Sequence, residues 1–160
     1  MREQEFHFQA IIHKLRQVSG VDVPIILEDH FPEERIIGGK YSLERHVITI
    51  YLKEVRMQCM LLFGSDEYML DYFTVILAHE LGHAADQNLK ELADLRTSTS
   101  DVKRRNQISI KLEENAWNYA TRLIPDLHPL LMIVKERSLD MYRLCEDEKK
   151  QFSKNIYKVR

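Results

Sequence analysis

Two histidines and a glutamate stand close together at residues 79–83, where the sequence reads His-Glu-Leu-Gly-His. In a helix His79 and His83 are one turn apart, so both imidazoles project from one face and can share a cation. Glu80 is rotated by about 100° from His79, so its carboxylate could reach a water molecule at the metal without ligating the ion. The general base of a hydrolytic site needs this position. Gly82 leaves space beside the metal face, although glycine costs about 1 kcal/mol of helix stability relative to alanine.

A pattern with so few required positions also arises by chance, and its surroundings help to decide between the two explanations. A chance match is expected on a solvated surface. This motif lies within residues 71–89, where apolar side chains point in nearly every direction around a helix, as is typical of a buried helix. Because buried charged groups need a partner or a metal, we interpret the motif as half of a metal site.

A catalytic zinc ion takes three protein ligands and keeps one position open, so a third ligand is expected elsewhere in the chain. The candidates are Asp86, Glu91, Asp94, Glu113, Glu114 and His128. Helical phase favours Glu113, which falls near the middle of an apolar arc on a helix predicted over 107–124, whereas Glu114 faces the polar side. A half-buried salt bridge is the alternative explanation of Glu113. The same stripe carries small residues that would let another helix approach closely: Ser109, Ala116 and Ala120.

Two further residues are candidates for supporting roles. Asp86 follows His83 by three residues. We expect its carboxylate either to accept the free imidazole N–H of a ligand or to lie on the surface where the helix emerges into solvent. His128 stands between Pro125 and Pro129, where a donor could stabilise the oxyanion of a tetrahedral intermediate. The alternative is that His128 is an ordinary loop histidine.

The elements that must position these residues follow from hydrophobic spacing and from turn residues. Helices are predicted over residues 5–18, 53–63, 66–95, 107–124 and 129–160, with a polar loop over 96–106. Strands are predicted over 23–27 and in a hairpin over 41–52, with residues 42–45 as its turn and Gly38-Gly39 before it. The pattern predicts an α+β fold, mostly helical, with a small sheet next to the motif helix.

Length and composition limit the remaining possibilities. The 160 residues fit a single domain, with a core over about 20–125 and a helical extension over 126–160. A net charge of −2 with mixed signs disfavours a nucleic-acid binder that uses a broad basic face. Neither a secretory signal nor a membrane-spanning run is recognisable, so we expect a cytoplasmic protein. Cys59 and Cys145 lie outside any CxxC pattern and are expected to be free thiols.

A second motif carries a family resemblance. Residues 113–120, Glu-Glu-Asn-Ala-Trp-Asn-Tyr-Ala, resemble the E-x-x-A-N/D-x-F-A signature that follows HExxH in one group of zinc peptidases. Leu123-Ile124-Pro125 is similar to the Leu-Leu-Met-Pro that closes the Glu helix of that group, and the hairpin over 38–51 looks like the strands that precede the motif helix. Together these features resemble the ImmA/IrrE-type metallopeptidases, small cytoplasmic gluzincins often encoded by phages or mobile elements. The resemblance covers about residues 36–125.

The chain resembles a divergent member of that family. Trp117 stands where the family has Asn or Asp, so a hydrogen-bond partner of a metal ligand is expected to be missing. Residues 84–87, Ala-Ala-Asp-Gln, replace a frequent Leu-His pair. No helix-turn-helix is recognisable, although some relatives carry one.

The resemblance implies a zincin-like domain with one zinc ion held by His79, His83 and Glu113, and with Glu80 as general base. It also implies a protein or peptide substrate, such as a transcriptional repressor, and no nucleic-acid or membrane partner. We expect the substrate to lie extended along the strand near 46–52 by β-augmentation. Two alternatives remain open: a zinc-bearing regulatory or interaction module without peptidase activity, and a structural helical protein that binds no metal.

Overall fold

The computed structural model describes residues 2–143, and it describes side chains from residue 5 onward. The helices are α1 (Arg2–Ser19), α2 (Leu52–Phe63), α3 (Met69–Ala85), α4 (Leu89–Ser98), α5 (Val102–Leu123) and α6 (His128–Arg143). The strands are β1 (Ile25–Glu28), β2 (Gly39–Ser42) and β3 (Val47–Tyr51), and a 3-10 turn (Pro125–Leu127) joins α5 to α6. The described part of the chain is therefore α+β, mostly helical with a three-stranded sheet. Cys145 and the predicted helix beyond residue 143 lie outside it.

The strand β3 lies at the centre of the sheet. It pairs in parallel with β1, where Ile48 is opposite Ile25, and antiparallel with β2, where Ile50 is opposite Gly39. Every residue of β3 is buried, which suits its β-branched and aromatic composition. β2 and β3 form the predicted hairpin, with its turn at residues 43–46, one residue later than the predicted 42–45. The expected docking strand near 46–52 is wrong, however, because β3 is paired on both sides and has no free edge.

Several helix boundaries follow the stop and start signals in the sequence. Gly20 ends α1 and Gly64 ends α2, and both glycines have positive φ angles, of 65° and 67°, which residues with a Cβ rarely adopt. Asp101 caps α5, because its carboxylate accepts hydrogen bonds from the backbone N–H groups of Lys103 and Arg104. These local interactions explain why the predicted helix ends are largely confirmed for α1 and α2.

Two boundaries near the motif helix differ from the prediction. The single helix expected from Asp66 to Leu95 is wrong, because α3 ends at Ala85 and α4 begins at Leu89. Asp86 leaves the helical conformation with a ψ angle of 107°, and its carboxylate accepts the backbone N–H of Asn88. Such a local bond competes with continuation of the helix. The polar loop expected over 96–106 is also wrong, because α4 and α5 are separated by residues 99–101 alone.

The hydrophobic core surrounds α3, which packs against α1, α2, α5 and α6 and against the sheet. Buried side chains occur along α3 from Met69 to Leu81, which confirms that this helix is apolar around its whole circumference. Phe8 of α1 and Leu131 and Leu139 of α6 belong to the same core, so the core extends beyond the predicted 20–125. In the part of the chain that the structure describes, every helix is too short or too polar to cross a bilayer.

Candidate metal centre

The side chains of His79, His83 and Glu113 converge where α3 packs against α5. The Nε2 atoms of the two histidines are 3.2 Å apart. Oε2 of Glu113 lies 3.2 Å from Nε2 of His79, and Oε1 lies 3.4 Å from Nε2 of His83. Within the described residues, this is the one group of His, Cys, Asp and Glu side chains that could hold a metal ion. The three side chains converge because each one projects from the face of its helix that the residue spacing predicted.

The spacing of these ligand atoms fits a small tetrahedral cation. Zinc binds imidazole nitrogen and carboxylate oxygen at about 2.0–2.2 Å, which places two ligands at a tetrahedral angle about 3.3 Å apart. The separations of 3.2 to 3.4 Å between the ligand atoms agree with that value. At such distances each imidazole nitrogen and the carboxylate can present a lone pair to the others. A proton or a cation is needed among them to prevent repulsion between these lone pairs.

Burial makes the centre strongly attractive to positive charge. Burial alone would raise the pKa of Glu113, but the hydrogen bonds and charges of His79 and His83 hold that pKa far below its usual value. Burial would likewise lower the pKa of His83, but the hydrogen bond to Glu113 and the charge of Glu80 raise it. Side-chain exposures of 8%, 14% and 15% leave little water to compensate these charges. Protons or a metal ion must therefore supply the compensating charge.

Gly82 brings the two ligand-bearing helices together. A Cβ at this position would lie 2.5 Å from the carbonyl oxygen of Ala116 and 2.8 Å from its Cα. Ala116 lies about one turn beyond Glu113, so the approach at Gly82 also sets how far Glu113 lies from the histidines. The expectation that small residues let a second helix approach closely is confirmed at Ala116, and Ala120 of the same stripe is buried as well.

Glu80 is directed toward β2 rather than into the ligand group. Its side chain is buried, and Oε2 accepts a hydrogen bond of 2.8 Å from the backbone N–H of Tyr41. Gly39 makes room for this arrangement, since a Cβ there would lie 2.9 Å from Cγ of Glu80 and 2.9 Å from Cγ2 of Ile76. Glu80 is thus close enough to influence the pKa of His83 without belonging to the ligand group.

Trp117 stacks on His79 at the position where the family signature has Asn or Asp. The ring centroids are 4.1 Å apart and the planes are inclined by 29°. In the described structure, Nδ1 of His79, Nδ1 of His83 and Nε1 of Trp117 are buried without a hydrogen-bond partner. The His79 ring is therefore held by stacking rather than by a hydrogen bond at Nδ1, which is where metal-ligating histidines are usually supported.

Asp86 connects the end of α3 to α5. Its Oδ1 accepts the backbone N–H of Asn88, and its Oδ2 accepts a hydrogen bond of 3.0 Å from Nδ2 of Asn115. Neither hydrogen bond goes to an imidazole, so the predicted bond to a ligand histidine is not among its contacts. The charge of Asp86 still raises the pKa of His83. Its carboxylate therefore acts on the centre through charge and by joining the two ligand-bearing helices.

The remaining ligand candidates do not belong to the group. Glu91 and Asp94 are exposed on α4, and Asp94 pairs with Lys90. Glu114 is partly exposed on α5. His128 is exposed at the first residue of α6, and its role as an oxyanion donor stays a prediction.

The Tyr142 hydroxyl on α6 is influenced by the charge of Glu113, although no sequence pattern singled this residue out. Burial, followed by the charge of Glu113, raises the pKa of the hydroxyl. Asn106 of α5 donates a hydrogen bond of 2.8 Å to the backbone carbonyl of Tyr142. The available signal in the sequence was weak: Tyr142 follows Leu139 at the spacing of one helix face.

Comparison of the chain with protein-family models, with curated proteins and with solved structures gives no match. The resemblance to the ImmA/IrrE-type metallopeptidases therefore stays a prediction that depends on the two motifs. The geometry defines the class of site: a largely buried group of two histidines and one glutamate that could hold a metal ion.

Proposed function

We propose that the protein is a zinc-dependent metallopeptidase with His79, His83 and Glu113 as metal ligands and Glu80 as general base. The observation that carries the proposal is the convergence of ligand atoms from His79, His83 and Glu113, which are largely buried, next to the Glu80 carboxylate, which is not a ligand. Two histidines and one glutamate form the ligand set of one class of catalytic zinc sites, in which the fourth position is open to water or substrate. The resemblance of residues 113–120 to the peptidase signature supports the same reaction.

Different residues of the chain carry out different parts of the proposed reaction. A zinc ion held at this centre supplies Lewis acidity and lowers the pKa of water toward neutrality. Glu80 accepts a proton from the attacking water and can return it to the leaving amine nitrogen of the cleaved peptide bond. The hydrogen bond from Tyr41 holds the Glu80 carboxylate in place between these steps. His79, His83 and Glu113 orient the centre and keep it within a poorly solvated environment.

The proposed substrate is a protein or peptide whose backbone lies along β2, in place of the strand first expected. The backbone N–H of Tyr51 bonds to the carbonyl of Gly38, so alternation along the antiparallel pair directs the peptide groups of Gly39 and Tyr41 away from β3. The N–H of Tyr41 on this edge already donates to Glu80, so an extended peptide would pair with the other outward-facing groups of Gly39 and Tyr41 and would pass next to Glu80. A transcriptional repressor is the substrate that the family resemblance suggests.

The variant Glu80→Gln tests the assignment of the base. Its side chain has nearly the same shape, and its carbonyl oxygen can still accept the N–H of Tyr41, but it cannot take up the proton. We expect hydrolysis of a quenched fluorescent peptide library to fall by about 10²- to 10⁴-fold. Metal analysis of the same preparation should show an unchanged zinc content.

Glu114→Gln is the matched control, because it makes the same chemical change on α5 outside the ligand group. It should retain both activity and zinc. Full activity in Glu80→Gln would show that another group is the base. Wild-type protein that contains no stoichiometric metal after purification from zinc-replete medium would contradict the centre itself. Bound zinc without cleavage of any library member would instead support a regulatory or interaction module.

A further inference from the structure

A cavity lies between α2 and the segment that connects β1 to β2. Its volume is about 470 Å³, which is within the range of ligand pockets, about 300–1,000 Å³. Three acidic residues, one basic residue and two apolar residues line it: Glu33, Glu34, Glu54, Arg35, Ile36 and Met57. The cavity is separate from the metal centre, and the formal charge of its lining is negative.

Two hydrogen bonds from α2 hold the connecting segment on either side of the cavity. The backbone N–H of Phe31 donates to Oε1 of Glu54 at 3.0 Å. Nε2 of Gln58 donates to the carbonyl oxygen of Ile36, also at 3.0 Å. Because both bonds are made by side chains of one helix, the segment that carries residues 33–35 is fixed relative to α2, and the cavity between them is part of the folded structure.

Glu54 has one carboxylate oxygen that no donor of the described structure uses. The residue is only 8% exposed, and its Oε2 atom is buried without a hydrogen-bond partner. A buried carboxylate oxygen without a donor costs free energy, and buried carboxylates are normally paired. Arg35, the basic residue of the lining, is exposed and lies near Glu33 instead, with Nε 3.9 Å from Oε2 of that residue. The cavity is therefore lined by a carboxylate that a cationic donor would stabilise.

The apolar part of the lining indicates the shape of such a donor. Met57 follows Glu54 by three residues, so it lies beside Glu54 on the same side of α2. Ile36 lines the cavity from the connecting segment. Lysine and arginine side chains combine an aliphatic stem, which packs on apolar surface, with a cationic head. A methionine side chain adapts readily to such a stem.

The cavity lies close to the strand edge along which the proposed substrate runs. Ile36 stands three residues before Gly39, which is at most about 10 Å of extended chain. A Cβ at Gly39 would lie 2.9 Å from Cγ of Glu80, the proposed base. A peptide that passes Glu80 along β2 therefore comes within reach of the cavity after a few residues.

We propose that this cavity is a substrate subsite for a lysine or arginine side chain, in which Oε2 of Glu54 accepts a hydrogen bond from the cationic head. Met57 and Ile36 contact the aliphatic stem. This inference rests on the proposed peptidase function and names its substrate class: a peptide with a basic residue a few positions from the cleaved bond. Glu54 determines specificity and takes no part in the hydrolysis itself.

A set of quenched fluorescent peptides with arginine or citrulline at one position at a time tests the subsite, because citrulline has nearly the shape of arginine without its charge. At one position we expect the wild-type kcat/KM to be about tenfold higher for arginine. In Glu54→Gln this ratio should fall to about one. Cleavage of the citrulline peptide should stay at the wild-type level, because the glutamine oxygen can still accept the N–H of Phe31.

Met57→Lys is a second variant that does not alter the bond to Phe31. Met57 is exposed, so the substitution should leave the fold intact. Its ammonium group lies within reach of Glu54, three residues earlier on the same helix, and should occupy the subsite in place of the substrate. We expect the preference for arginine to be lost here too. Glu67→Gln is the matched control, because it makes the same chemical change at an exposed residue outside the cavity lining and should keep the preference.

Fluorescence anisotropy with labelled arginine and citrulline peptides measures binding apart from cleavage. Cleavage by the wild type with equal rates and equal affinities for the two peptides would overturn the subsite and leave the proposed function standing. A preference for arginine that persists in both Glu54→Gln and Met57→Lys would also overturn it. Tighter binding of the arginine peptide that depends on Glu54, without cleavage of any peptide, would support the subsite and overturn the peptidase. A wild-type protein that neither binds nor cleaves any peptide would overturn both.

Discussion

The helix α3 makes two different contacts through glycine, one with α5 and one with β2. At the first, Gly82 lies against the backbone of Ala116, and this contact sets the position of a ligand carboxylate. At the second, Gly39 of β2 lies against the side chains of Glu80 and Ile76, and this contact sets the position of the proposed base. The backbone of a helix cannot shift at a single residue to make room for an added atom, whereas a side chain can rotate by a small amount. Changes at the α5 contact should therefore impair stability and metal binding together, and changes at the β2 contact should impair mainly catalysis.

The largest effect is expected when α5 loses its ligand. Glu113→Ala removes the carboxylate and leaves two histidines, which is one ligand fewer than a catalytic zinc site requires. We expect the zinc content to fall from about one ion per chain to near zero and peptide cleavage to fall to background. Elemental analysis after gel filtration measures the first quantity. If Glu113→Ala kept wild-type zinc affinity, the contact between α3 and α5 would have no part in metal binding.

Gly82→Ala should be the next most damaging change. The added methyl group cannot fit against the carbonyl of Ala116, so the two helices must separate, at a cost of about 1–3 kcal/mol in the free energy of unfolding. Separation also moves Glu113 away from the histidines, so zinc affinity should fall as well. Urea unfolding of the metal-free protein and a chelator competition measure the two effects. A more stable protein with unchanged zinc affinity, as helix propensity alone would predict, would contradict this description of the contact.

Gly39→Ala should affect catalysis more than metal binding. Its Cβ would displace the Glu80 side chain, so we expect the rate of peptide cleavage to fall by about tenfold while zinc affinity stays near the wild-type value. Gly38→Ala is the control, because the closest atom to its Cβ would be the far end of the Gln58 side chain, which can rotate away. If the two variants lost the same activity, the contact between Gly39 and Glu80 would not be what orients the base.

The smallest effect is expected at the stack between Trp117 and His79. Trp117 is the only tryptophan of the chain, so its fluorescence should change when metal is added to the metal-free protein. Trp117→Phe keeps an aromatic face against His79, and we expect zinc affinity to fall by about twofold, equivalent to roughly 0.4 kcal/mol. Fluorescence that does not respond to zinc would indicate that the ion does not bind next to this ring.

Prediction from the sequence succeeded where local periodicity and burial acted together. The burial of α3 and the inward direction of Glu113 follow from helical phase, because the chain cannot place its apolar arcs in the core without also turning these residues inward. It was wrong where a local hydrogen bond competed with periodicity, as at Asp86, whose carboxylate ends the helix that hydrophobic spacing would have continued. It was also wrong about the free edge of the sheet, since strand order depends on contacts between segments distant in sequence.

The sequence by itself determined the ligand types, their spacing on each helix and the face on which each ligand lies, because a helix converts residue spacing into direction. Only the tertiary structure decided the distance between α3 and α5 at Gly82 and the placement of β2 next to Glu80. These features depend on how separate elements pack, and packing is set by the combined shapes of many side chains rather than by any one segment. The His-Glu-Leu-Gly-His motif thus specifies half of a centre, and packing supplies the other half.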